Sequence, residues 1–224
     1  MKQIDTQGVG PKTSPYTLPR LIGFSLLVFV LVGYTWKEHL EDRLIPKRWG
    51  TVEQGAIYRS GQLHPALIER VLQDNDIKVI VDLNGKREGK IEHETEDQIA
   101  LELGIAKQRY PLNGDGTGDI EQYAQAIASI DRAVKSQQPV LVHCSAGSQR
   151  TGGVIAMYRV LVQGRTVEEA LAEMEHYGWD PLKDKALTTY LDTHVEELAQ
   201  RLVNLAVIDK VPMDYPGFGR PSSD

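Results

Sequence analysis

Two different periods organise the hydrophobic positions of this chain. The run Ile77-Lys78-Val79-Ile80-Val81-Asp82-Leu83 and the shorter Val140-Leu141-Val142 after Pro139 are apolar and β-branched, the pattern of strands covered on both faces. Ala56 to Ser60 mixes β-formers ahead of Gly61 and predicts an earlier strand that ends at Ser60. Between these runs the apolar residues fall three and four apart. Pro65 suits a helix first turn, with Leu67, Ile68, Val71 and Leu72 on one face. An acidic helix runs from Glu92 to Leu103 with Ile99 and Leu103 inward, and Gly104 stops it. Lys107 to Leu112 reads as a short strand, and Asp119 caps a helix carrying Ile120, Tyr123, Ala124, Ile127, Ile130 and Val134. A helix opens after the strand at 140. Thr166-x-x-Glu169 is a capping box ahead of Val167, Ala170, Leu171, Met174 and Tyr177. Leu187, Tyr190, Leu191, His194, Leu198, Leu202 and Leu205 line a long last helix, and Trp179-Asp180-Pro181 is a turn before it. Strands alternating with helices predict an α/β fold, a mostly parallel central sheet flanked by helices.

The ends of the chain differ from this pattern. Residues 1–20 are polar and rich in Gly and Pro, and read as a disordered tail. Leu21 to Trp36 holds no charged residue and lies between Arg20 and Lys37. At ~1.5 Å per residue it reaches about 24 Å, enough for a single transmembrane helix when snorkelling flanks extend it. No small-x-small cleavage site follows, which speaks against a signal peptide. A short tail ahead of a first apolar segment places the rest of the chain outside the cytoplasm, although Lys and Arg on the two sides nearly balance. Residues 37–50 read as a charged juxtamembrane linker, 51–206 as the globular domain and the Pro/Gly-rich 207–224 as a flexible tail.

Composition narrows the chemistry. A net charge of −6 gives no footprint for nucleic acid. The single Cys rules out an internal disulfide and any Cys-based metal cluster, and leaves a thiol free for catalysis.

That thiol sits in His143-Cys144-Ser145-Ala146-Gly147-Ser148-Gln149-Arg150-Thr151-Gly152, between strand and helix. A loop closing on an anion at a helix N-terminus turns backbone amides inward. Arg150 adds a planar fork matching two phosphate oxygens, and the same positive field favours a Cys144 thiolate. Cys-x5-Arg followed by Thr and preceded by His resembles the signature of the cysteine-dependent protein tyrosine phosphatases, and the absence of Trp-Pro-Asp upstream points to their compact dual-specificity type.

The resemblance spans roughly residues 51–200 and implies a mechanism. Cys144 is the nucleophile and Arg150 binds phosphate together with the amides of Ser145, Ala146, Gly147, Ser148 and Gln149. Thr151 assists the sulfur, and His143 orders the loop. A general acid belongs on a loop upstream, before a helix. Capping accounts for Asp119, so Asp115 is assigned the acid and Asp119 remains the alternative. The glycines of Asn113 to Asp119 suggest a loop that closes over the site. The resemblance also sets Arg59 near the substrate and draws Lys86 and Arg87 to its border. The implied substrate is a phosphorylated protein, with phosphotyrosine or also phosphoserine and phosphothreonine cleaved, and with no metal or other cofactor. Phosphoinositide or inositol phosphate hydrolysis is the alternative within the same fold. A catalytically silent, membrane-tethered phosphate-binding module is the alternative outside it.

Overall fold

The computed structural model describes residues 29, 41–86, 88–212, 215, 217 and 218. The tail at 1–20, the apolar stretch Leu21 to Trp36 (Phe29 excepted) and Arg87 lie outside these. Among the described residues no helix is long and apolar enough to cross a membrane.

The globular unit, Asp42–Asp224, is built on one five-stranded sheet. Its strands are β1 (Gly50–Glu53), β2 (Ile57–Ser60), β3 (Val79–Asp82), β4 (Ala106–Arg109) and β5 (Val140–His143), in the order β1-β2-β5-β3-β4. β1 pairs antiparallel with β2, and every other pair is parallel. Besides a four-residue helical turn at Glu41–Leu44, the helices are α1 (Pro65–Asp74), α2 (Ile91–Glu102), α3 (Ile120–Lys135), α4 (Gln149–Leu161), α5 (Val167–His176) and α6 (Lys185–Asn204). The mostly parallel α/β sandwich expected from the pattern is present.

Period-two alternation divides the strands between two cores. Ile57, Val79, Val81, Val140 and Val142 face the core built with α3 to α6. Tyr58, Ile80 and Leu141 face a smaller core built with α1 and α2. The parity persists past the apolar residues. Asp82 and His143 therefore fall on the α1/α2 side, and Arg59 on the other.

Three boundaries differ from the sequence reading. The domain begins before Thr51: Trp49 stacks on Tyr58 with ring centroids 5.4 Å apart, and Gly50 opens β1. The linker assigned to 37–50 therefore stops short of its last residues, because an aromatic ring and a β-hairpin leave no charge signal to mark them. Leu103 is exposed rather than inward, and α2 turns Glu96 and Ala100 to the sheet. The tail from 207 is not wholly free either. Val207, Ile208 and Val211 pack against the core, Phe218 is buried, and its amide donates to Asp192 Oδ1 at 2.6 Å.

Candidate active site

β5 is central, and its carboxyl end lies between the ends of β2 and β3. Cys144 follows directly, is buried at 1% exposure, and leads through Ser145 to Ser148 into α4. Three carbonyls of this loop are tied outward. Ser145 O accepts from the Gln62 amide at 3.1 Å, Ala146 O from Arg48 Nη1 at 2.8 Å, and Gly147 O from Arg59 Nη2 at 3.1 Å. In a trans peptide the amide points opposite to its carbonyl, so the amides of Ala146, Gly147 and Ser148 are turned inward. The Gly147 amide donates to Cys144 Sγ at 3.1 Å. Only glycine fits there: φ is +76° and a Cβ would stand 2.5 Å from Gly61 N and 2.7 Å from Ser60 C.

Arg150 lies on the first turn of α4 and is buried. Its Nη1 donates to Leu83 O at 3.3 Å and to Asn84 Oδ1 at 3.0 Å, both just beyond β3. Its Nε is buried with no partner. The Thr151 hydroxyl is buried and acts on the Cys144 sulfur. Burial alone would raise the Cys144 thiol pKa. The Thr151 hydroxyl, the Arg150 charge and the amides of Thr151 and Gly147 together outweigh it, and the thiol lies below its ordinary value.

The loop before α3 reaches the same place. A Cβ on Gly116 would lie 3.2 Å from the Gln149 backbone, so Asp115 is one residue from the catalytic loop. Asp115 is exposed, and its Oδ1 accepts from the Thr117 amide at 3.0 Å and hydroxyl at 2.8 Å. Asp119 Oδ1 caps α3 through the Glu121 amide at 2.9 Å. Two tyrosines bond to the glycine-rich loop. Tyr123 Oη donates to Gly116 O at 2.5 Å and Tyr190 Oη to Gly118 O at 2.8 Å. The sequence marked both tyrosines only as helix-face residues.

Arg59, expected near the substrate, offers no exposed surface. It is fully buried beneath the loop, with Nη1 3.4 Å from Glu173 Oε1 and its guanidinium 3.9 Å from the centre of the Tyr177 ring. Strand parity sends it to the α5 face, where it supports Gly147 from below. Lys86 is exposed, and Arg87 lies outside the described residues.

On the other face is a cluster that sequence reasoning missed. Glu96 Oε1 stands 2.6 Å from Lys107 Nζ and 3.1 Å from His143 Nε2, while Asp82 Oδ2 receives Arg109 Nε at 2.8 Å. Burial lowers the His143 pKa, but Glu96 and Asp82 more than reverse this and raise it to about 9. Burial raises the Glu96 pKa, but His143 and Lys107 bring it to about 2. The ligand atoms of Asp82, Glu96 and His143 lie within 4.8 Å of one another, as a cation would require. The cation beside them is the Lys107 ammonium.

The sheet carries the Cys-x5-Arg loop at the carboxyl end of its central strand. Residues 60–164 match a family model described as a polymorphic toxin system, DSP-PTPase phosphatase. The dual specificity protein phosphatase TpbA of Pseudomonas aeruginosa is 45% identical over 77 residues, 33% of this chain and 34% of the relative. The match thus spans about a third of the curated relative. The crystal structure of TpbA superposes with a TM-score of 0.55 and 23% identity, covering 71% of this chain and 91% of that one. The catalytic core of the Saccharomyces cerevisiae PP-IP phosphatase Siw14 gives 0.56 at 20% identity, over 72% and 96%. These likenesses show the fold, and over residues 60–164 the chain is similar to DSP-PTPase phosphatases.

Proposed function

We propose that this chain hydrolyses phosphotyrosine, and also phosphoserine or phosphothreonine, in phosphorylated proteins through a phosphocysteine intermediate. The observation that carries this reading is the Cys144 thiol, buried yet held below its ordinary pKa in a loop whose amides face it. Sγ attacks phosphorus and the P–O ester bond breaks. Arg150 and the amides of residues 145–149 hold the non-bridging oxygens, and Asp115 gives its proton to the departing oxygen. Water then attacks phosphorus and passes a proton to Asp115, and the P–S bond breaks with Thr151 donating to the sulfur. No step calls on a metal or an organic cofactor. The likeness to TpbA, a dual specificity protein phosphatase, supports this choice of substrate.

A specific observation favours a second reading, an inositol phosphate or phosphoinositide. A cavity of about 260 Å³ adjoins the loop at Ser145, and its lining includes Lys47, Lys90, His64 and His93 together with Asp42 and Glu92. Such a site suits substrates carrying further anionic groups, and the neighbour Siw14 is a PP-IP phosphatase.

Phosphate release by the full chain from phosphotyrosine, phosphothreonine and inositol phosphate substrates tests both. Turnover that vanishes in Cys144→Ser establishes the enzyme, and the preferred substrate chooses between the readings. Asp115→Asn should lower the rate on an alkyl phosphate about 100-fold; a rate lost instead in Asp119→Asn reassigns the acid. A folded, reduced chain that releases no phosphate yet binds phosphopeptide is the silent binding module.

The same reading tethers the chain through Leu21 to Trp36 with the domain outside the cytoplasm. Protease added to intact cells should then cleave the domain, and protection until lysis would overturn the placement.

A further inference from the structure

A helix that offers the sheet one Ala and one Glu gains little from apolar burial. α2 is such a helix: Glu96 and Ala100 are its buried residues, and Glu96 is 2% exposed. A buried carboxylate is costly unless it is paired and hydrogen-bonded. Neutralising Lys107 does not require it, since Asp97 Oδ1 already stands 2.5 Å from that ammonium and Asp82 Oδ2 3.7 Å from it. The other contacts of Glu96 lie elsewhere, and of the two carboxylates that face His143 it is the nearer. Oε1 approaches His143 Nε2, the residue before Cys144, at 3.1 Å. Oε2 accepts from Gln62 Nε2 at 2.7 Å. Gln62 continues the path in two directions: its amide donates to Ser145 O at 3.1 Å, and its Oε1 accepts from Asn84 Nδ2 at 3.3 Å. Asn84, fixed by its amide and Nδ2 on Asp82 Oδ1 at 2.9 Å each, presents its own Oδ1 to Arg150.

We propose that Glu96 is a positioning residue that holds both ends of the catalytic loop at once, His143 before the nucleophile directly and Arg150 beyond it through Gln62 and Asn84. It touches no substrate. The proposal rests on the phosphatase reading for its effect on turnover, but not for its effect on the thiol. One carboxylate joins two arms, so removing it and removing Gln62 have different consequences. Three charged groups face His143: Glu96 from α2, Asp82 from β3 and Lys107 from β4, with Arg109 on the far side of Asp82. Without the Glu96 charge the burial of the imidazole outweighs the pull of Asp82 and prevails.

Cys144 is the single cysteine of the chain, so alkylation by iodoacetamide reads its thiolate without any assumption about substrate. Glu96→Gln should move the His143 titration, followed by NMR, from about 9 to below its ordinary value. It should also slow alkylation at pH 7 severalfold, because the loop that turns the Gly147 amide and the Arg150 charge toward the sulfur is no longer held. Gln62→Ala should leave the His143 titration in place and raise KM severalfold through Arg150. Glu102→Gln, the same charge change on the same helix at a side chain whose partner is Gln98, should change none of these. A folded Glu96→Gln protein with wild-type titration and alkylation overturns the proposal. If that variant does not fold, Gln62→Ala decides, and an unchanged KM overturns it. A wild type that releases no phosphate while its alkylation responds to Glu96→Gln overturns the phosphatase reading and leaves Glu96 in its role.

Discussion

The two faces of the sheet are stabilised by different physics. Against one, α3, α4 and α6 press Tyr123, Ile127, Ile130, Val154, Met157, Leu191 and Leu198, all buried. Against the other, α1 supplies Leu67, Ile68, Val71 and Leu72, but toward the strand ends the apolar contacts give way to Asp82, Glu96, Lys107, Arg109 and His143. Apolar contacts are numerous and non-directional, so they supply stability without fixing one side chain to a fraction of an ångström. Buried ion pairs contribute little net stability but tolerate only one arrangement. The large core keeps the chain folded, while the charged face decides where His143 and Arg150 stand.

The largest expected effect tests that division on the apolar side. Ile127→Ala leaves a cavity in the fully buried face of α3 and should cost about 2–5 kcal/mol in urea denaturation. Phosphate release per folded molecule should stay within about twofold; a collapse of activity in the remaining folded fraction would show that the faces are not separable.

A smaller effect tests the charged side through pH. His143 titrates near ~6.5 in an unfolded chain and at about 9 in the folded one. Its pairing therefore stabilises fully below the unfolded value and is lost as pH rises through about 9. Glu96 has the opposite sign: its pKa is about 2 in the fold and ~4.3 outside it, so its contribution is complete above the unfolded value and is lost as pH falls toward about 2. The melting temperature should peak between roughly pH 5 and 6.5, and in Glu96→Gln that peak should flatten. A wild-type curve already flat across pH 3–9 would remove the charged face from the account.

The smallest effect belongs to neither face. The capping box of α5, in which Thr166 and Glu169 satisfy each other's amides at 3.2 and 3.1 Å, should lose about 1 kcal/mol in Thr166→Ala with turnover unchanged.

The same division explains what was legible in the sequence. Val79 to Val81, Val140 to Val142, the stripe of α3 and the cap at Asp119 were readable because period and caps are local. Cys144 and Arg150 were readable because the loop that joins them is contiguous. Glu96 was not: an acidic residue in an acidic stretch looks solvated, and its partners Gln62 and His143 lie far along the chain. Arg59 read as a charged strand end near substrate, since only strand parity, once the strand's limits are fixed, sends it under the loop to Glu173. Trp49 and Phe218 were assigned to a linker and a tail because single aromatic anchors leave no periodicity.

The segment leading into the domain also bears on the site in mechanical terms. Lys47 O accepts from the Gly61 amide at 2.7 Å, and Arg48 Nη1 holds Ala146 O, so the backbone just upstream of β1 is stitched to the residues that frame Gly147. A pull on the chain ahead of residue 44 would meet the bond from Arg70 Nη2 to Leu44 O at 3.4 Å and then these two, so tension that passed the first would reach the Cys144 loop directly.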